Sequence, residues 1–447
     1  MSAPELHLVF AAVAIVLLVI GIAKFKLNPF LALLIGALLL GFASGLGVEN
    51  TVGKFEQGFG DTLSDTAPVI GLGSLLGAIL TSTGGANRIA DAFIGNRKVA
   101  LIPISIAVAA LVIGLPNIFD VSFVMLVPLA YALARRSGTH LLFVGMPLAA
   151  GLYTAHGLLP PHPSPTAAVA AYDASFGLTL ALGLVVAIPT VILCGPVLTR
   201  VASRWFGPAP DLDAGPAAGS RELTELRPPL WLALGVVLLP PLLLVIGAFG
   251  VDATADGTVL HTVLTFCDDP VVALLLAVVV AMIGLGRTSG SSIATMGSVA
   301  GSGLKTVGPV LLIIGAGGGL AAMLAETGVS KVIVEYAQGW HVPALILAWV
   351  IAALLRIALG SATVATVTAA GIIAPLAAAD PSISPELLVL ATASGSVMLS
   401  HVNDSGFWLF KEYFQLSVKQ TFRTWTLMLS LQSVIGVVGV LLLSLVV

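Results

Sequence analysis

Long apolar blocks recur down the whole chain, among them Leu8 to Ile22, Leu31 to Leu40, Leu230 to Gly250 and Val271 to Gly284. A helix needs about 20 apolar residues to cross a bilayer, and blocks of this kind predict a succession of membrane-spanning helices. The pattern also repeats. NPFLALLIGALLLG from Asn28 parallels DPVVALLLAVVVAM from Asp269, and IGLGSLLGAILTSTGG from Ile70 parallels IGAGGGLAAMLAETGV from Ile314 at an offset of 244. GLYTAHGLLPPHPSP from Gly151 lies opposite GSVMLSHVNDSGFWL from Gly395, where a one-residue shift sets His156 against His401. The three matches keep the same order in both halves, as expected of a duplicated membrane transporter.

Four apolar segments are interrupted. Ala100 to Ala134 breaks at Gly114-Leu115-Pro116-Asn117 and Pro343 to Ala379 breaks around Gly360-Ser361-Ala362-Thr363. Each is too long for one span and carries breakers or small polar residues at its centre, which predicts a re-entrant hairpin whose tip stops inside the membrane. Leu141 to Tyr172 breaks at His156 to Pro165, and Leu387 to Phe410 breaks at His401 to Gly406, which predicts two discontinuous spans.

Charge fixes the orientation. With the N-terminus outside, sixteen of the nineteen Lys and Arg residues fall in inside segments; Lys54 and Lys331 fall outside and Arg356 lies within the second hairpin. Cytoplasmic segments collect basic residues, so the first hairpin opens inward and the second outward. Five crossings per half make the halves inverted relative to one another. The expected fold is therefore an all-α polytopic membrane protein of two inverted repeats, each with five spans, one of them discontinuous, and one re-entrant hairpin. Residues 1–200 form the first repeat (hairpin 100–134, broken helix 141–172) and 228–447 the second (hairpin 343–379, broken helix 387–410). A cytoplasmic connector at 201–227 joins them, overlapping the Pro/Gly-rich, charged stretch Gly207 to Pro229.

Composition agrees: 58% of the 447 residues are hydrophobic and 9% charged, with a mean hydropathy of +1.08, outside the range of soluble domains. The opening MSAPELHL lacks the basic start of a secretory signal, so the first apolar run is expected to stay as a span. Cys194 and Cys267 fall on opposite sides of the bilayer in this topology and are not expected to bridge.

Broken helices leave backbone donors and acceptors unpaired at mid-membrane, which is tolerated where they line a cavity or bind something. Half-helix N-termini carry partial positive charge and free amide protons, so the four breaks predict one site for a small organic anion such as a carboxylate. Ionisable side chains in or beside the breaks are Asp120, His156, His162, Arg356, His401 and Asp404, costly there unless used. Asn117, Ser122, Gly360, Ser361, Thr363, Asn403 and Ser405 complete the candidate substrate-binding set. Of these, Ser361, Thr363, Asn403 and Ser405 are expected to hydrogen-bond substrate oxygens. Arg356 is expected to supply positive charge to the carboxylate, directly or through an acidic partner. Asp120 is expected to carry a coupled proton, with His156 or His401 as the alternative. Plainer readings stand beside these: an Asp120–Arg356 ion pair, hydrogen-bonded packing for His156 and His401, and turn formation for His162 and for Asn403, Asp404 and Ser405. The glycine run Gly315 to Gly319 is better explained by close helix packing than by phosphate binding.

An enzyme would need a metal or nucleophile constellation, and the sequence has neither a His-Glu-x-x-His pair nor a paired aspartate motif of the prenyl-transfer kind. A channel would favour a polar ring from identical subunits, unlike two non-identical inverted halves. No catalytic residue, cofactor, metal or nucleic-acid partner is expected.

The strings HGLLPPHPSPTA (His156 to Ala167), RIALGSATVA (Arg356 to Ala365) and SHVNDSGFWLFKEYF (Ser400 to Phe414) resemble the gluconate:proton symporter family of bacteria. The resemblance runs from about Lys24 to the C-terminus and includes Gly84-Gly85 after Thr83 and DVSFVMLVPL from Asp120. It implies gluconate uptake by proton symport in the bacterial inner membrane, in a fold similar to the dimeric elevator carriers of the ion-transporter superfamily, where scaffold spans hold a homodimer while hairpins and broken helices move. One departure is IFDVSF (Ile118 to Phe123), where gluconate carriers are expected to read approximately FYEVGF. The acidic group is kept but shortened, so the alternative is a carrier of the same family for D-serine, glycerate or another small hydroxy acid, with sodium as an alternative coupling ion.

Overall fold

The computed structural model describes residues 3–94, 99–115, 118–206, 212, 228–252, 254–267, 269–327, 342–379 and 383–446. Every regular element among them is helical. Six helical segments are long and apolar enough to cross a membrane: Val48–Ser82, Leu141–Ala171, Phe176–Trp205, Pro270–Thr288, Val307–Glu326 and Val418–Leu443. Asn117 and most of the 201–227 connector lie outside the described residues.

Two corresponding helices start in the same way. The Asn28 side chain accepts the amide protons of Phe30 and Leu31 ahead of Pro29–Ala43. Asp269 accepts those of Val271 and Val272 ahead of Pro270–Thr288. Each cap precedes a proline, whose missing amide proton costs nothing at the first helical position.

One group of helices is built on the long pair Val48–Ser82 and Ile293–Glu326, which pack along each other. At 35 residues the first is about 52 Å long, well beyond the ~30 Å hydrocarbon thickness. Pro29–Ala43 lies on the second long helix and Pro270–Thr288 on the first; Ala3–Ala23 and Leu230–Asp252 then cover these two on the outside. The arrangement therefore reads alike from either end.

The glycine run explains how closely the long pair approaches. A Cβ added at Gly318 would stand 2.0 Å from Thr62 Oγ1, and one at Gly319 would stand 2.4 Å from the Phe55 ring. One at Gly317 would meet only the Trp408 indole, at 3.6 Å. Gly318→Ala is thus expected to cost about 1–3 kcal/mol by overpacking, while Gly317→Ala stays near neutral. Thermal unfolding of the two variants in detergent micelles checks this; equal stabilities would contradict it.

The interrupted segments form the second group. Leu141–Leu158 is its centre: 89% of the apolar window in Leu141–Ala171 is buried, against 33% in Phe176–Trp205, which faces outward. Ile102–Gly114 and Phe119–Ser137 splay around Leu141–Leu158, each packing on it more than on the other, whereas Ala344–Leu359 and Ala362–Ala379 pack directly together and against Pro385–Gly395. A Cβ at Gly151 would press to 2.4 Å on the Ala107 carbonyl oxygen, and one at Gly395 to 2.2 Å on that of Trp349.

The interruptions differ in detail from the sequence reading. His156 belongs to the last turn of Leu141–Leu158, because the chain leaves helical geometry only at Leu159, ahead of the Pro160–Pro161 pair. Helix Pro385–Gly395 ends well before His401, and the next begins at Ser405. Between them Leu399 has φ +52°, and the Ser400 carbonyl accepts from Thr426 Oγ1 at 2.6 Å instead of from a helical amide. The last helix carries a π turn at Phe422–Thr426, a distortion frequent at functional sites, which includes Trp425.

Candidate functional site

The starts of four half-helices converge on one cavity of about 570 Å³. They belong to Phe119–Ser137, Pro163–Ala171, Ala362–Ala379 and Ser405–Tyr413, contributing Ile118 to Val121, Pro163, Gly360 to Thr363 and Asn403 to Gly406 to the lining. The first amide protons of a helix have no intrahelical acceptor, and the aligned peptide dipoles add partial positive charge. Four such ends bring partial positive charge to a single space, although the Pro163–Ala171 start carries Pro163 and Pro165 and has fewer amide protons to offer. The volume lies within the ~300–1,000 Å³ of small-molecule sites. Thr62, Ser64, Asp65 and Thr66 of Val48–Ser82, with Asp269 and Gly318, supply the opposite wall.

The tip between Ala344–Leu359 and Ala362–Ala379 is shaped by Gly360 at φ +77°. A Cβ there would sit 2.2 Å from the Asn403 carbonyl oxygen, so this glycine is required both by backbone conformation and by close approach. Asn403 Nδ2 donates to the Ile357 carbonyl at 3.0 Å, and His401 Nε2 lies 3.0 Å from the same oxygen. A carbonyl only accepts, so that His401 nitrogen carries the proton. Both contacts fasten the second broken helix to the second tip. Ser164 and Thr366 hydroxyls meet at 2.6 Å, tying Pro163–Ala171 to Ala362–Ala379.

A charged network runs from the cavity wall, where Asp404 and Tyr153 stand, to Arg356 behind it. Arg356 is 1% exposed; its Nη2 donates to Asp404 Oδ2 at 2.5 Å and to the Tyr153 hydroxyl at 3.2 Å. Asp404 Oδ2 also accepts from Ser400 Oγ, which itself accepts from Trp425 Nε1 at 2.7 Å. Asp404 Oδ1 accepts the Gly406 amide proton at 3.1 Å, capping Ser405–Tyr413. One carboxylate thus joins the second hairpin, the break and the half-helix. Such charge-assisted bonds are the strong ones, and out of water they hold only while both partners remain. Phe119 packs beside the network, edge-on to Tyr153 at 5.0 Å between ring centroids and tilted against Trp425 at 5.3 Å.

Residues 6–446 match the family described as GntP family permease. The chain belongs to the GntP permease family. A gluconate permease of Pseudomonas aeruginosa is 41% identical over 446 residues, covering 100% of this chain and 99% of its own. A high-affinity gluconate transporter of Escherichia coli is 40% identical, with 98% of this chain and all of its own covered. The Gnt-II system L-idonate transporter of Escherichia coli is 38% identical, with 98% and 99% covered. This GntP permease is a multi-pass membrane transporter and not an enzyme.

Eight of the residues singled out from the sequence line the permease cavity: Asp120, His156, Gly360, Ser361, Thr363, Asn403, Asp404 and Ser405. Arg356 and His401 lie behind it. Arg356 pairs with Asp404 and not with Asp120, whose carboxylate makes no hydrogen bond or ion pair among the described residues. His162 is fixed by its Nε2, 2.8 Å from the Gly114 carbonyl oxygen, and serves the first tip rather than the cavity. Ser122 is fully buried, its hydroxyl without a partner among the described residues, and it is not part of the cavity lining. Asn117 lies outside the described residues. Sequence reasoning missed Tyr153 and the wall from Thr62 to Thr66. The signal for the latter was present: Asp61, Thr62, Ser64, Asp65 and Thr66 extend the polar first half of Val48–Ser82 to Pro68, where its apolar second half begins.

Proposed function

We propose that this permease imports gluconate or a closely related sugar acid across the bacterial inner membrane by proton symport. The observation that carries this reading is the convergence of four half-helix starts on a cavity that also holds the carboxylate of Asp120, which has no partner among the described residues. The substrate carboxylate takes the helix ends. Its hydroxyls take Ser361, Thr363, Asn403 and Ser405 from one side, and Thr62, Ser64 and Thr66 from the other. Arg356 acts through Asp404, keeping the second tip and the second broken helix in register. The bound anion adds negative charge beside Asp120, so proton and anion binding favour each other.

The same reading makes the halves inverted repeats working as an elevator in a homodimer. It is supported by the matched caps at Asn28 and Asp269, by the interchangeable surroundings of the long pair, and by Gly151 and Gly395, which stand 244 residues apart and press on equivalent helices. The helices around the long pair form the scaffold and the interrupted segments the moving part.

In proteoliposomes with an alkaline interior, gluconate is expected to accumulate without sodium, with saturation and counterflow, and L-idonate to compete with it. Uptake that follows a sodium gradient and ignores the proton gradient, or uptake of D-serine or glycerate alone, would overturn the proposal.

A further inference from the structure

Ala3–Ala23 and Pro29–Ala43 pack against each other but leave a groove of about 330 Å³ along their outer seam. Its lining is wholly apolar. Val13, Leu17, Ile35 and Leu39 form its walls and are each about half exposed, whereas Ala14 and Gly36 lie on its course. Along the first helix it runs from Phe10 to Gly21, about 16 Å at 1.5 Å per residue. That is about half of the ~30 Å hydrocarbon core, the depth of one leaflet. The groove ends at Leu27, in the turn Lys24-Phe25-Lys26. Lys24, Phe25 and Lys26 are exposed, and neither lysine pairs with an acidic side chain among the described residues.

We infer that this groove holds an acyl chain of an anionic phospholipid whose headgroup rests on Lys24 and Lys26. A slot one leaflet deep that ends at two ammonium groups with no acidic partner among the described residues matches a single lipid in both length and charge. Basic residues at the cytoplasmic surface attract anionic headgroups, and lysine stems reach from apolar surface to the headgroup level. A second copy of the chain fits less well. In a two-fold dimer built on this seam each copy would bring its own Lys24 and Lys26 to the same leaflet edge, setting like charges together. This inference does not depend on what the permease carries.

The test uses purified, delipidated full-length protein mixed with dioleoyl-phosphatidylglycerol or dioleoyl-phosphatidylcholine. Thermal unfolding is followed and bound lipid is counted by native mass spectrometry. Phosphatidylglycerol is expected to raise Tm by several degrees more than phosphatidylcholine and to remain bound at one or more molecules per chain. Lys24→Gln with Lys26→Gln removes that advantage while leaving the exposed turn able to fold. Ala14→Phe fills the groove and lowers the bound count by one with both lysines intact. Equal Tm shifts from the two lipids, or an advantage that survives both variants, overturns the inference. Disulfide formation between two Leu17→Cys chains in vesicles overturns it too, by placing a second copy in the groove.

Discussion

Arg356→Met is expected to abolish gluconate uptake and to lower the stability of the folded protein by about 3–5 kcal/mol, the cost of removing one partner from a buried ion pair. The guanidinium side chain is 1% exposed and that of Asp404 10%, so the orphaned carboxylate keeps only the little solvent available at its edge of the cavity. The methionine side chain keeps much of the volume and none of the charge, which separates packing from electrostatics. Adding Asp404→Asn to Arg356→Met removes the stranded charge, so most of the stability returns. Transport does not, because Ser400, Gly406 and the second tip are no longer held to one acceptor. Arg356→Lys keeps the charge but replaces the guanidinium, whose Nη2 reaches both Asp404 and the Tyr153 hydroxyl, with a compact ammonium on a stem of different length and shape, and uptake should stay below wild type. Uptake kinetics in proteoliposomes, read beside thermal unfolding in micelles, check all three variants. Wild-type uptake by the Met variant would reduce Arg356 to a bystander.

How much of this site was visible in the sequence depends on whether local chemistry or tertiary contact decides each feature. Gly360 could be read directly, since a glycine followed by small polar residues inside an apolar run marks a break. So could the Asn-Pro and Asp-Pro helix starts and the packing role of the glycine run. The partner of Arg356 could not. Asp120 and Asp404 are both carboxylates at helix breaks, and only the packing of Ala344–Leu359 against the second broken helix selects Asp404. The early end of Pro385–Gly395 was equally hidden. Ser396 to Leu399 contains no glycine or proline, and the break there is held by distant side chains: Trp425 on Ser400, Thr426 on the Ser400 carbonyl, and Trp408 Nε1 on the Val402 carbonyl at 2.8 Å. The wall from Thr62 to Thr66 was legible as the inner end of a helix's polar half, but nothing local says which way it faces.

The pairing of Arg356 with Asp404 also narrows the choice of proton carrier. Asp404 spends its oxygens on Arg356, Ser400 and Gly406, so protonating it would dismantle the network that shapes the site. His401 is turned to the Ile357 carbonyl behind the cavity. Asp120 stands in the first turn of Phe119–Ser137, on the cavity, with no partner to lose among the described residues. Asp120→Asn keeps its shape and removes the titration, and the decisive measurement records two rates from the same proteoliposomes: accumulation driven by a proton gradient, and exchange of labelled for unlabelled gluconate at equilibrium. The account predicts that the variant exchanges substrate but no longer accumulates it, whereas proton-driven accumulation at the wild-type level would contradict it and move the proton to His156.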